Sequence, residues 1–203
     1  THIVTKLNGN DVKFFYDVNT ESRAAMKRSD AQVPDAFEIG DFNTASTISW
    51  ALEKCSEKKE RFCWRMARKG DLELLQFLHE RGCPWDTLTC SYAAQNGHLE
   101  CLKFAHENGC PWNEGTCLSA AFKGRLECLK YAHENGCPWD EETCSNAAKF
   151  GHLECLKYAH ENGCPWDETT CFNAAYNDHP ESFKYAVENG CPQSTNTEYN
   201  VWA

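Results

Sequence analysis

The sequence predicts an all-α protein, a helix-turn-helix solenoid with a small N-terminal β-hairpin extension. Three observations point there. The stretch from Gly70 to Asn177 divides into consecutive 27-residue copies of one motif. Within each copy, apolar residues recur at helical spacing in two short runs. Glycine and proline stand where each run must stop. A unit this small cannot bury its apolar face alone, whereas stacked units can, and a solenoid follows.

Residues 1–42 lie outside the repeat. Ile3-Val4-Thr5-Lys6-Leu7 and Val12-Lys13-Phe14-Phe15-Tyr16 flank Asn8-Gly9-Asn10, the pattern of a β-hairpin with a glycine-containing turn. A lone hairpin is marginal in water, so this one is expected to pack on the first repeat or join a partner's sheet. A short helix is expected near Glu21–Arg28. The opening Thr1-His2-Ile3-Val4 has no initiator Met, as expected of a processed or partial chain, and no basic stretch followed by the apolar core of a secretory signal.

The repeat array is expected over residues 43–194. Residues 43–69 form a degenerate first copy that keeps only its far end, where Cys63, Ala67 and Lys69 align with Cys90, Ala94 and Asn96. Four full copies follow, 70–96, 97–123, 124–150 and 151–177, then a half copy over 178–194 and a patternless tail over 195–203. Degenerate ends suit an array whose outermost units face water. In the copy 124–150, Leu126, Leu129 and Ala132, widened by Cys128 and Tyr131, predict a longer helix from about Arg125 to Asn135. Gly136 is placed for a left-handed cap, and Pro138 prevents continuation. Asp140 is a natural N-cap for a shorter helix carrying Cys144, Ala147 and Ala148, with Glu141 and Glu142 at its positive end.

Ala147-Ala148, Gly151-His152-Leu153-Glu154 and Asn162-Gly163-Cys164 occur in the order of the ankyrin repeat, which this array resembles from about Asn43 to Ser194. The family's units run to about 33 residues. The residues absent here fall where that family carries its β-hairpin finger, so the resemblance implies paired helices without full fingers. The Thr-Pro-Leu helix start of the family is replaced by Glu142-Thr143-Cys144. Short arrays of this Cys-Pro-Trp type are similar to those in proteins of algae, amoebae and giant viruses.

Thirteen of the 14 cysteines fall into three columns of the repeat. Cys63, Cys90, Cys117, Cys144 and Cys171 lie on the shorter helix. Cys101, Cys128 and Cys155 lie on the longer one. Cys83, Cys110, Cys137, Cys164 and Cys191 follow the capping glycine. They read as small buried hydrophobes, since Leu74 and Ser182 replace column members and the family resemblance implies packing residues there. The rival reading is zinc or thiol-redox chemistry, with His106 and His133 nearby, but no Cys-x2–4-Cys knuckle is present. Bridges within a column are disfavoured, because adjacent repeats stack at about 8–10 Å and a disulfide needs Cα atoms within about 7 Å. Many unpaired thiols imply a reducing compartment, cytoplasm or nucleus first, organelle matrix or stroma second.

His106, His133 and His160 recur at one repeat position, where packing plus a hydrogen bond is the expected role. Trp85, Trp112, Trp139 and Trp166 form a ladder that either lines a binding face or packs unit on neighbouring unit. Every unit carries nearly the same His, Cys and Glu, whereas a catalytic site is a unique arrangement, so the sequence predicts no enzyme, no catalytic residue, no metal site and no cofactor.

The composition, 41% hydrophobic and 25% charged, is ordinary for a globular chain. No apolar run approaches the ~18–20 residues of a membrane span. A net charge of −10 argues against nucleic acid as a partner. Charge is uneven: residues 43–69 hold seven Lys/Arg against three Asp/Glu, whereas 70–194 hold eight against nineteen. Lys54, Lys58, Lys59, Arg61, Arg65, Arg68 and Lys69 therefore form either a docking patch for an acidic partner or a solvated cap.

The copies 124–150 and 151–177 differ only at Arg125/His152, Glu142/Thr169, Ser145/Phe172, Lys149/Tyr176 and Phe150/Asn177. Positions under packing constraint stayed fixed and free ones diverged. In ankyrin proteins the residues after Ala-Ala and the loop before that helix line the concave recognition face. The resemblance therefore implies partner binding by Gln95, Asn96, Phe122, Lys123, Glu142, Lys149, Phe150, Thr169, Tyr176 and Asn177. The expected function is a non-enzymatic protein-protein interaction module binding a protein through the concave helix face. The alternatives are a structural accessory or assembly subunit of a larger complex, organellar or otherwise, held by its N- and C-terminal extensions, and the zinc or thiol-redox protein.

Overall fold

A computed structural model describes residues 60–193. Backbone proximity divides the chain into two compact units, Thr1–Phe62 and Cys63–Ala203. The described residues contain ten α-helices and no strand. These are α1 (Glu60–Lys69), α2 (Leu72–Glu80), α3 (Thr87–Asn96), α4 (Leu99–Glu107), α5 (Glu114–Phe122), α6 (Leu126–Glu134), α7 (Glu141–Lys149), α8 (Leu153–Glu161), α9 (Glu168–Tyr176) and α10 (Pro180–Glu188). The expected hairpin and the helix near Glu21–Arg28 lie outside the described residues.

From α2 onward the helices form two layers. The first layer stacks α3, α5, α7 and α9 in succession, the second α2, α4, α6, α8 and α10, and each first-layer helix also packs on the helix that follows it. The structural unit is thus a first-layer helix plus the next second-layer helix. The glycines that open the sequence copies, such as Gly124, sit at the turn inside that pair. The expected difference in helix length is not observed: α6 and α7 both have 9 residues. Gly136, left-handed at φ +84, stops α6 before Asn135 can join it.

Side-chain size sets the layering. The face that first-layer helices present to each other is built from Ala93, Ala94, Ala120, Ala121, Ala147 and Ala148, all fully buried, beside buried Cys90, Cys117 and Cys144. Such small side chains let backbones approach closely. The second layer supplies bulk through Leu75, Leu102, Leu129 and Leu156, one per unit and each fully buried. In α6 the buried face is Cys128, Leu129 and Ala132, and Leu126 is half-buried at its margin.

The first-layer helices α3, α5, α7 and α9 are capped at both ends, the second-layer helices at their C-termini. Asp86, Asn113, Asp140 and Asp167 are N-caps whose carboxylate or amide oxygens accept the N–H groups of Leu88, Gly115, Glu142 and Thr169 at 2.9–3.2 Å. At the second-layer C-termini, Cys137 N–H donates to Ala132 O and Gly136 N–H to His133 O, both at 2.9 Å, which is a Schellman closure. The first layer ends the same way: Arg125 N–H donates to Ala120 O (2.8 Å) and Gly124 N–H to Ala121 O (3.2 Å). After α9 the glycine is replaced by Asp178, which takes φ +59.

The two capping glycines differ in surroundings. A Cβ on Gly124 would lie 2.6 Å from the His152 ring of the next unit, whereas a Cβ on Gly136 meets nothing within 4 Å. Both have positive φ, so alanine carries about 1–2 kcal/mol of left-handed strain at either. We expect urea unfolding to show Gly136→Ala losing about that amount and Gly124→Ala losing at least about 1 kcal/mol more. His152→Ala should abolish the difference.

Candidate interaction surface

The rows of side chains that join unit to unit define what is left for binding. In the second layer, His106, His133 and His160 each stack on the tryptophan that follows, Trp112, Trp139 and Trp166, with ring centroids 3.7–3.8 Å apart. Each imidazole Nδ1 also shares a 3.1 Å hydrogen bond with the hydroxyl of Tyr131, Tyr158 or Tyr185 on the next second-layer helix. The same tyrosine meets the tryptophan edge-on at 6.3–6.4 Å. The packing and hydrogen-bond role expected for these histidines is what the structure shows. The tryptophans do serve unit-to-unit packing, but through this His-Trp-Tyr clasp rather than by contact between successive tryptophans. In the first clasp, His79 and Trp85 meet Phe104, which has no hydroxyl.

A second row runs along the turns. Nε2 of His98 donates to Arg68 O (3.1 Å) and that of His152 to Phe122 O (3.2 Å), while Arg125 Nε reaches Gln95 O at 3.4 Å. The residue after Gly97, Gly124 and Gly151 thus closes a C-terminal carbonyl of α1, α3 and α5 in turn. Desolvation, reinforced by the cations nearby, lowers the His152 pKa and keeps the ring neutral.

The thiols form the third row. All thirteen described cysteines are buried and unbridged. Cys110, Cys137, Cys164 and Cys191 donate at 3.2–3.3 Å to the carbonyls of Asp86, Asn113, Asp140 and Asp167, the N-cap residues of the preceding first-layer helices. They are therefore weak donors as well as small hydrophobes. The fold also brings the first and third columns together at an offset of 20 residues. Cys117 Sγ lies 4.0 Å from Cys137 O and Cys144 Sγ 4.0 Å from Cys164 O, a pairing that comparison within columns missed. A hydrogen bond to Cys137 and burial hold the Cys117 thiol far above its ordinary pKa. Burial, aided by the neighbouring carboxylates of Glu100, Glu127 and Glu154, pushes Cys101 and Cys128 up to about 11 and Cys155 up to about 12. Among the described residues, no three His, Cys, Asp or Glu side chains gather as a metal ion would need.

What remains exposed is concentrated at the C-terminal ends of the first-layer helices. Phe150 (37% exposed) and Tyr176 (74%) are two of the three exposed large hydrophobic side chains among the described residues. Phe150 meets Phe122 edge-on at 4.4 Å, and Tyr176 stacks on Phe172 at 5.5 Å. Lys123 Nζ lies 4.8 Å from the Phe122 ring and Lys149 Nζ 5.6 Å from that of Phe150.

The structure sorts the ten residues singled out from sequence. Phe122, Lys123, Lys149, Phe150 and Tyr176 share this end of the layer. Gln95, Asn96 and Asn177 share it too, but the amides of Asn96 and Asn177 donate to Tyr92 O and Asn173 O of their own helices at 2.8 Å. Glu142 and Thr169 sit at the opposite ends of α7 and α9, and seven residues of helix place Glu142 about 10 Å along the axis from Lys149. The sequence comparison joined positions that are equally variable yet not neighbours. Arg68, Lys69 and Arg125 belong to the same end, and their repeat register with Gln95, Asn96 and His152 is the signal that locates them.

These layers, caps and turns make the fold an ankyrin-like helical repeat solenoid. Residues 144–187 match the family model described as ankyrin repeats (many copies). The fold is similar to the crystal structure of the human ASB11 ankyrin repeat domain, with a TM-score of 0.56 and 22% identity, covering 64% of this chain and 69% of that one. No curated protein matches the chain. No described helix is long and apolar enough to cross a membrane.

Two outcomes follow from the clasp and the thiols. Phe104→Tyr supplies the hydroxyl missing opposite His79 and should stabilise the protein by about 0.5–1.5 kcal/mol, while Tyr158→Phe should cost about as much, both read by urea unfolding. At pH 7 Ellman's reagent should leave the described thiols unmodified in the native protein, because all thirteen are buried away from the reagent, and should modify them all in denaturant.

Proposed function

We propose that the chain is a non-enzymatic protein-interaction module, a short 27-residue Cys-Pro-Trp form of ankyrin array spanning about residues 43–194. Its protein partner is gripped by the first-layer face, at the ends carrying Phe122, Lys123, Lys149, Phe150 and Tyr176. The observation that carries this is the collection of solvent-facing rings and lysines on helices whose other faces are spent on stacking. Near-identical units need no such side chains for packing, and aromatic residues in this setting are the anchors of protein interfaces. The thirteen buried thiols favour work in a reducing compartment.

A photo-reactive phenylalanine placed at 150 or 176 should cross-link the natural partner. Phe150→Ala and Tyr176→Ala should each weaken capture by about 2 kcal/mol, roughly thirtyfold, while changing stability by less than about 0.5 kcal/mol because both side chains are exposed. Cross-links confined to residues 1–42 or to the tail would overturn the assignment. Deleting residues 1–42 should leave capture intact. Its loss would identify an accessory subunit held by its extensions.

A further inference from the structure

The geometry points to the chemistry of the segment bound at this surface: an extended acidic peptide of another protein, carrying one apolar or aromatic anchor. This rests on the interaction surface just proposed and adds the charge and shape of what it takes.

The cations of the array are sorted by role. Residues 70–194 contain eight Lys/Arg within a stretch of net charge −11, eight minus nineteen. Lys103, Lys130, Lys157 and Lys184 pair with glutamates of their own second-layer helices at 3.0–3.8 Å. Arg81 lies over the Phe77 ring. The other three, Lys123, Arg125 and Lys149, all stand at the C-terminal end of the first layer, and all are exposed. Exposed Arg68 and Lys69 continue the strip at the end of α1. The acids at this end of the first layer are Asp71, whose carboxylate already caps Leu74 N–H at 3.0 Å, and Asp178.

The strip is bordered by acid at the far ends of its own helices and by neutral ion pairs on the second layer. Glu114, Glu141, Glu142 and Glu168 open the first-layer helices at their far ends. Glu100, Glu127 and Glu154 open the second-layer helices beside it, each held by its own lysine. Cations offset the negative helix ends, which accounts for lysine here but not for exposed rings. Rings and lysines together fit a ligand with both an apolar side chain and carboxylates, and the glutamates at the far helix ends repel one that slides along the helices. They also repel a polyphosphate, which brings charge without an anchor to a chain of net charge −10.

Spacing favours an extended backbone. Neighbouring first-layer helices lie about 8–10 Å apart, and a strand covers that distance in about three residues. In chain order the strip runs from Arg68 and Lys69 through Lys123 and Lys149 to Phe150 and Tyr176. The segment therefore places its anchor between Phe150 and Tyr176, and acidic residues about three apart toward α1.

The test is a phage library of random 15-residue peptides panned on the whole protein and on its Lys123→Glu, Lys149→Glu double variant. These are exposed positions, and matched thermal unfolding of the two proteins confirms that the fold is retained. Clones kept by the wild type and lost on the variant should be rich in Asp and Glu around an aromatic or aliphatic residue. A synthetic copy of such a clone should bind at least about tenfold more weakly to that variant and to Phe150→Ala, Tyr176→Ala, and should weaken as salt rises. Neutral or basic clones, no clone that distinguishes the proteins, displacement of the peptide by a single-stranded oligonucleotide, or self-association of the wild type lost in the charge variant would each overturn the proposal. If the natural partner cross-links at residues 150 and 176 yet its capture ignores salt and charge reversal, the acidic segment fails and the interaction surface stands. If cross-links map elsewhere, both fail.

Discussion

Close approach of the first-layer helices is the constraint on which this structure depends. It requires small side chains, alanine, cysteine and threonine, at the fully buried positions of these helices, from Thr89 to Ala148. A helix faced with alanine buries little on its own. Each helix gains its stability from its neighbours, through the leucine of the second layer, the His-Trp-Tyr clasp, the His or Arg seated on a turn carbonyl, and the thiol donating to a cap carbonyl. None of these four contacts closes within one helix. Together they explain a 27-residue period held almost without variation, since a changed length would shift all four at once.

The same constraint separates structural chemistry from recognition. Histidine, cysteine, tyrosine and carboxylate, the usual materials of active sites, are here bound into unit-to-unit contacts and repeated. His133 is stacked and hydrogen-bonded, and the thiol of Cys137 is spent on the carbonyl of Asn113 at the start of α5. Lys149, Phe150 and Tyr176 lie outside those contacts and vary between copies, and at the C-terminal ends of the first layer they join a surface unlike the acidic body. Its aromatic and basic character follows from what the stacking leaves unused.

Much of the fold is legible in the sequence because its determinants are local. Asp140 as a cap, Gly136 as a left-handed stop and Ala147-Ala148 as a close-packing pair can each be read within a few residues of themselves. The contacts between units are not local. The reach of His133 to Tyr158, 25 residues on, and the meeting of Cys117 with Cys137, 20 residues on, depend on how helices lie beside one another. Equal helix lengths were missed because the apolar stripe of α6 runs to its cap, while α7 ends in Lys149. The surface was legible in part: divergence marked Lys149, Phe150 and Tyr176 as free of packing. The family resemblance adds Glu142 and Thr169 from the loop before the helix, which lie at the far ends of α7 and α9, and the hydrogen bonds of Asn96 and Asn177 to their own helices were invisible.

The most direct measurement is the folding of one helix pair removed from its neighbours. A peptide covering residues 114–137, α5 through the cap of α6, is followed by far-UV circular dichroism and urea titration beside a chain covering residues 60–193. Little helix and no cooperative transition in the isolated pair, against one cooperative transition in the array, is the result expected if units are held by one another. A cooperative, native-like transition in the isolated pair would contradict it.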